Sequence, residues 1–175
     1  ETAIDAATFT AVRIVSGALV LWLIVRARDR GRTASGPGSG NWPSAAALFA
    51  YAACFSFAYL SLSAGTGALL LFGAVQATML GYALWSGERL RLWQAVGLLL
   101  ALGGLVGLVL PGVTAPPLVG SGLMVAAGVA WGVYSLRGRG VADPLAATAA
   151  NFLRATPLAL LLSLVLAAEA SVDAA

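Results

Sequence analysis

Two arginines of this 175-residue sequence, Arg13 and Arg154, stand inside long apolar runs. A guanidinium stays charged and offers five N–H donors in a fixed fork. Holding one at the centre of a bilayer costs about 2.5–3.5 kcal/mol on insertion scales. Such a residue either faces a wet cavity, where it can meet an anion, or gives its donors to helix carbonyls and fixes packing. Arg13 lies near the start of its run and can also snorkel to the interface, whereas Arg154 lies deeper in its own. Asn151, three residues before Arg154, shares its helix face. Gln76 is the one amide midway along the run 66–86. Lipid offers its side chain no partner, so it is expected to point inward, toward a substrate or another helix. Trp131 and Tyr134, at i and i+3, suit an aromatic cavity wall, or for Tyr134 an interfacial belt. These readings make Arg13, Gln76, Trp131, Asn151 and Arg154 the candidates for a substrate cavity. Glu88, beside Arg89 and Arg91, is either a solvated, ion-paired turn that sets topology or a gate.

Other aromatic and small residues read as architecture. Tyr51, Phe55 and Tyr59 form an i, i+4, i+8 stripe that suits packing, and Trp22, Trp42, Trp85 and Trp93 suit interfacial belts. Gly103 with Gly107, and Gly128 with Gly132, are small-xxx-small pairs that let helix backbones approach closely. Gly36-Pro37-Gly38-Ser39-Gly40 is a loop with no preceding strand, so it is not a phosphate cradle.

What the sequence lacks narrows the chemistry. It has no His and no Lys, and its single Cys is Cys54. That removes His-based acid–base work, Cys-His nucleophiles, Schiff-base lysines, His/Cys zinc sites and disulfide scaffolds. No Asp or Glu lies midway along an apolar run, so no carboxylate proton relay is visible. The expectation is a protein that is not an enzyme, with no catalytic residue, metal or cofactor. The alternatives are a membrane-embedded enzyme or a non-transporting scaffold. The first would need an acid/base or metal-binding set, which Asp29, Glu88 and Asp143 do not form.

The elements that must position these residues follow from composition. Apolar residues make up 60% of the chain and charged residues 10%, with a mean hydropathy of +0.91. A soluble domain carries about 25% charged residues, so the bilayer is the expected solvent. Six runs are long enough for helical spans: 8–26, 43–62, 66–86, 92–110, 117–136 and 145–168. The second and third are nearly continuous and must fold back, with Ser63 to Gly67 as the expected turn. Asn41 caps the second span with Pro43 in its first turn, and Asp143-Pro144 opens the last. The net charge of +3 and pI near 9.6 reflect arginines in short loops rather than a nucleic-acid surface.

Those arginines also set the orientation. Loops 26–43, 87–91 and 137–144 carry eight of the ten, and the loops that alternate with them carry none. The positive-inside rule places the three arginine loops in the cytoplasm of a multi-pass protein of the bacterial cytoplasmic membrane.

Sliding the chain by 141 residues lays Ala7 to Arg13 over Thr148 to Arg154, so the two intramembrane arginines coincide. The first and sixth spans run in opposite directions, which is the pattern of an inverted-topology repeat. On this reading the chain is a fragment lacking its first helix and last three. Residues 1–113 are a first repeat without its first helix, and 114–175 begin the second.

Residues 68–79 (Ala-Leu-Leu-Leu-Phe-Gly-Ala-Val-Gln-Ala-Thr-Met), Gly87-Glu88-Arg89-Leu90, Gln94-Ala95-Val96-Gly97 and Gly103, Gly104 and Gly107 resemble the fourth and fifth helices of an EamA domain. The first span, with Phe9 and Arg13, resembles the second helix. Residues 117–168, with Gly128, Trp131, Gly132, Tyr134 and Asn151 to Arg154, resemble the opening of the second repeat. The sequence is thus similar to EamA transporters of the drug/metabolite transporter superfamily. One departure is Val75-Gln76, where many members carry a helix-kinking Pro. The resemblance implies an all-α integral membrane protein whose six helices belong to a ten-helix, 5+5 inverted-repeat carrier. It implies a secondary exporter or exchanger that moves small organic metabolites or drugs by alternating access. The expected partners are that small-molecule substrate, the lipid bilayer and a second copy in a homodimer, with no nucleic acid.

Overall fold

The described part of every apolar run folds as a helix; polar side chains cap most of the starts, while one helix begins after Pro117 with no side-chain cap. The computed structural model describes residues 4–29, 40–89, 91–109 and 116–173. Most of the loop 26–43, the turn expected at 111–117 and both chain ends lie outside the described residues.

Helix α1 (Ala6–Arg28) starts at Asp5, whose Oδ1 accepts the backbone N–H of Ala7 and Thr8 at 2.9 Å. Hydrogen bonds from Thr8 hold the Asp5 carboxyl below its ordinary pKa, a usual consequence of capping with an ionised group. Helix α2 (Trp42–Ala58) starts at Asn41, which accepts from Ser44 N–H at 2.9 Å, with Pro43 in the first turn. It ends at Ala58, short of residue 62. Tyr59 to Leu62 turn the chain, and the Ser63 hydroxyl caps α3 (Ala64–Trp85) through Thr66 N–H. The reversal therefore falls at 59–63 rather than 63–67: a serine cap recruits Gly65, Thr66 and Gly67 into the helix that glycine content alone assigns to a turn. Helix α3 closes with Gly87 at φ +84°, and Glu88 N–H returns to Ala83 C=O at 3.0 Å. Helices α4 (Leu92–Val109), α5 (Leu118–Arg137) and α6 (Pro144–Asp173) complete the chain.

Four helices are long and apolar enough to cross a membrane: α1, α3, α5 and the stretch Pro144–Ala168 of α6. Helix α2 is apolar but has 17 residues, about 26 Å at 1.5 Å per residue. The Leu92–Gly104 part of α4 is likewise apolar and shorter.

Helix α5 packs between α2 and α3, α6 packs on α1 and α2, and α4 touches α3. Small side chains dominate these contacts. Ala11, Ile14, Leu48, Ala52, Ala155 and Ala159 join α1, α2 and α6, while Ala58, Leu62, Leu71, Met124 and Ala127 join α2, α3 and α5. A Cβ on Gly128 would lie 2.6 Å from Ala74 Cβ and 2.7 Å from the Leu71 carbonyl oxygen, and one on Gly132 would lie 2.8 Å from Thr78 Cβ. The backbone of α5 thus rests directly on α3. A Cβ on Gly103 or Gly107 meets nothing within 4 Å among the described residues. They face away from α3, the helix that α4 touches.

Helices α1 and α6 lie antiparallel. Ala6, Ala7, Thr10, Ala11, Ile14 and Ala18 are buried on α1, and Ala147, Ala149, Asn151, Ala155 and Ala159 on α6; four of these pairs lie 141 residues apart. Thr10 is tied to α2 through the Ser56 hydroxyl at 2.8 Å, and Ser56 donates in turn to Ala52 C=O at 2.9 Å.

Two of the arginine-bearing connections meet at one end of the bundle. Arg28 grips Asp143 with two parallel bonds, Nη1–Oδ1 at 3.0 Å and Nη2–Oδ2 at 2.6 Å. The guanidinium, helped by Ala146 N–H, draws the Asp143 carboxyl down to a pKa of about 2. Arg137 Nε donates to Ser44 Oγ and its Nη2 to Asn41 Oδ1, both at 3.0 Å. Asn41 N–H donates to Asn151 Oδ1 at 3.0 Å. These bonds fasten the C-terminal ends of α1 and α5 to the N-terminal ends of α6 and α2.

Candidate functional site

Between α1, α2, α5 and α6 lies a cleft of about 560 Å³. Its charged group is Arg13, which sits eight residues into α1, about 10 Å along it. The Arg13 guanidinium lies over three rings: Phe9 at 5.7 Å, Tyr51 at 5.4 Å and Phe55 at 5.1 Å from the ring centroids. All three distances fall within cation–π range. Phe9 precedes Arg13 by four residues and so shares its face, while Tyr51 and Phe55 are presented by α2 at the same spacing.

The rings continue across the cleft. Tyr51 packs on Trp131 with centroids 4.7 Å apart, and Trp131 on Tyr134 at 5.7 Å. In the other direction Phe55 meets Tyr59 edge-on at 4.8 Å. Polar groups along the wall are Ser16, Thr148 and the two tyrosines, and among the described residues no acid lines it. Rings attract a guanidinium through their faces but accept none of its in-plane N–H bonds. Among the described residues no acceptor takes a hydrogen bond from the Arg13 guanidinium, and no acid pairs with it.

A second, smaller pocket of about 90 Å³ lies at the arginine-rich end, lined by Asn41, Ser44, Arg137 and Asn151 among others. Tyr134 and Thr148 line both this pocket and the main cleft.

The candidate residues separate accordingly. Arg13 and Trp131 come together in the cleft. Asn151 is buried and belongs to the smaller pocket, where its Oδ1 holds the start of α2. Arg154 is half-buried; its Nη1 donates to the Ala150 carbonyl at 3.0 Å and approaches Gly40. That bond realises the packing alternative, and Arg154 does not line the cleft. Gln76 is exposed rather than turned inward. The face of α3 that meets α5 is set by Leu71, Ala74, Val75 and Thr78 under the two glycines, and Gln76 is about 150° around the helix from it. Glu88 is exposed in the turn after α3 and makes no ion pair among the described residues.

Sequence reasoning favoured packing over a pocket for Tyr51 and Phe55. The signal that finds them is the four-residue ring spacing on α2 matched to the Phe9–Arg13 spacing on α1. The clasp of Arg28, Asp143, Arg137, Asn41 and Ser44 was also missed, because its members lie about 95 to 115 residues apart in sequence.

Among known proteins, the chain is similar to the uncharacterized protein PA1977 of Pseudomonas aeruginosa, with 55% identity over 175 residues. The match takes in all of this chain and 60% of the relative, so the chain spans about three fifths of that protein's length. No family model matches the sequence. No solved structure matches it either.

Proposed function

We propose that the chain is part of a secondary transporter that carries small organic molecules across the bacterial cytoplasmic membrane, with the arginine-rich end toward the cytoplasm. The observation that carries this reading is the cleft between α1, α2, α5 and α6, where a charged guanidinium and a row of rings face an open volume inside an otherwise apolar bundle. Apolar-walled cavities with few polar groups are the usual form of small-molecule sites. A charge held at membrane depth is a functional-site hypothesis by default.

The architecture in this proposal is a ten-helix carrier of two inverted five-helix repeats, similar to EamA transporters, in which all six helices span. Three features support it. The shared burial of α1 and α6 at an offset of 141 keeps the two helices equivalent though antiparallel. The junction of the arginine-bearing ends obeys the orientation that the positive-inside rule assigns. The relative, of which 175 residues are 60%, is about 290 residues long and has room for ten helices. Transport then proceeds by rocking of one repeat against the other around the cleft, as export or exchange.

The test is a flux assay on the full-length protein in proteoliposomes, with a panel of labelled metabolites. Movement of at least one solute above the rate in empty vesicles, reduced in Arg13→Ala, is expected. A panel in which every solute leaks at the empty-vesicle rate refutes the proposal.

A further inference from the structure

We infer that the cleft selects solutes of net negative charge: an organic anion with one carboxylate or similar group and an apolar, ring-sized body. This rests on the transporter reading above and narrows its substrate class. Zwitterions and cations are the solutes it discriminates against.

The argument is one of charge and of unfilled donors. The Arg13 guanidinium makes no ion pair among the described residues, and both described salt bridges belong to Arg28. The acids with described side chains are Asp5, Asp29, Glu88 and Asp143, all at helix ends, so among the described residues no carboxylate balances Arg13 in the cleft. Phe9, Tyr51 and Phe55 fix the guanidinium in place but accept none of its N–H bonds in its own plane. A solute carboxylate would supply the missing acceptor, and with it the charge-assisted, two-pronged geometry that guanidinium favours.

The rest of the wall specifies the solute's body. Trp131, Phe152, Leu48 and Ile14 offer apolar surface, and Trp131 already stacks with Tyr51 beside the guanidinium. A ring held there keeps its carboxylate near Arg13. An ammonium in the same position would meet Arg13 itself and find hydroxyls but no anion. A free amino acid therefore loses on its amine what it gains on its carboxylate, and an amidinium loses on both counts.

An isosteric set tests this on the full-length protein in phosphatidylcholine vesicles: benzoate, its neutral amide benzamide, its cation benzamidine, and the zwitterion phenylalanine. Binding is followed by quenching of tryptophan fluorescence, and movement by flux from loaded vesicles. Benzoate is expected to bind at least tenfold more tightly than the other three. Arg13→Gln should lower benzoate affinity at least tenfold and leave benzamide unchanged, while Arg13→Lys keeps part of the preference and shows that the site still folds. Equal binding of benzoate and benzamidine, benzoate binding untouched by Arg13→Gln, or no binding by any of the four overturns the inference. Vesicles containing phosphatidylglycerol separate a soluble anion from a lipid headgroup. Unchanged benzoate affinity supports the inference, and loss of it there assigns Arg13 to lipid and overturns it. Arg13-dependent benzoate binding with no flux of any solute would leave the anion site standing and refute transport. Flux of phenylalanine in preference to benzoate would do the reverse.

Discussion

Adding one methyl group to Gly128 should separate α3 from α5. In Gly128→Ala the new Cβ would stand 2.6 Å from Ala74 Cβ, 2.7 Å from the Leu71 carbonyl oxygen and 3.2 Å from Val75 N. Ordinary contact begins near 3.4 Å, so two of these approaches are short by about 0.7–0.8 Å. Two of the three atoms belong to the backbone, and a backbone cannot swing aside as a long side chain can. Helix α5 must therefore lift off α3 by most of an ångström, loosening Leu71, Met124 and Ala127 around it. Overpacking of this kind costs about 1–3 kcal/mol. Gly103→Ala has the same chemistry in a motif of the same form, yet its Cβ meets nothing within 4 Å. It should be neutral, or stabilise by about 0.5–1 kcal/mol through helix propensity. The assay is unfolding of the full-length protein in mixed micelles by increasing mole fraction of sodium dodecyl sulfate, read by far-ultraviolet circular dichroism. Gly128→Ala should unfold at lower detergent fraction than wild type, and Gly103→Ala at an equal or higher one. If the two variants unfold together, or Gly103→Ala is the weaker, α5 does not rest on α3 as described.

Three further outcomes follow from the same contacts. Because Arg28 lowers the Asp143 pKa to about 2 from its ordinary 3.8, the pair's contribution is complete above about pH 4 and fades as pH falls toward 2. An acid titration of unfolding should therefore separate wild type from Asp143→Asn above pH 4 and bring them together below it; a constant gap down to pH 2 would contradict this. A double-mutant cycle of Thr10→Val with Ser56→Ala should return a coupling of about 0.6 kcal/mol, and no more than about 1.7, as for hydrogen bonds between helices in membranes. Gln76→Leu should change stability by less than about 0.5 kcal/mol and leave solute flux intact, because Gln76 lies on an exposed face away from the cleft; loss of flux would return it to the site.

Much of the fold was legible because a bilayer fixes the length of an apolar run, and Asn41 and Asp143 mark helix starts; the Asp5 and Ser63 caps emerged only in the structure. Which way a helix faces was harder. Helix α3 is apolar nearly all round, so no stripe tells its inner side from its outer. Gln76 was the sole amide on it, and its polarity suggested an inward face. The actual face is chosen by the glycines of the opposing α5, which no pattern within α3 records. The same ambiguity made Gly103 and Gly107 look like Gly128 and Gly132, although only the second pair has a helix against it. For the cleft, Arg13 and Trp131 were recognisable by type alone. Their convergence depends on α1, α2 and α5 meeting, and that packing is carried by alanines whose pattern has little specificity in sequence.

Tyr134 and Thr148 line both the wide cleft and the small polar pocket, so the two volumes share part of their walls. A change of size at either residue therefore reshapes both spaces at once, the one that holds Arg13 and the one that holds Arg137.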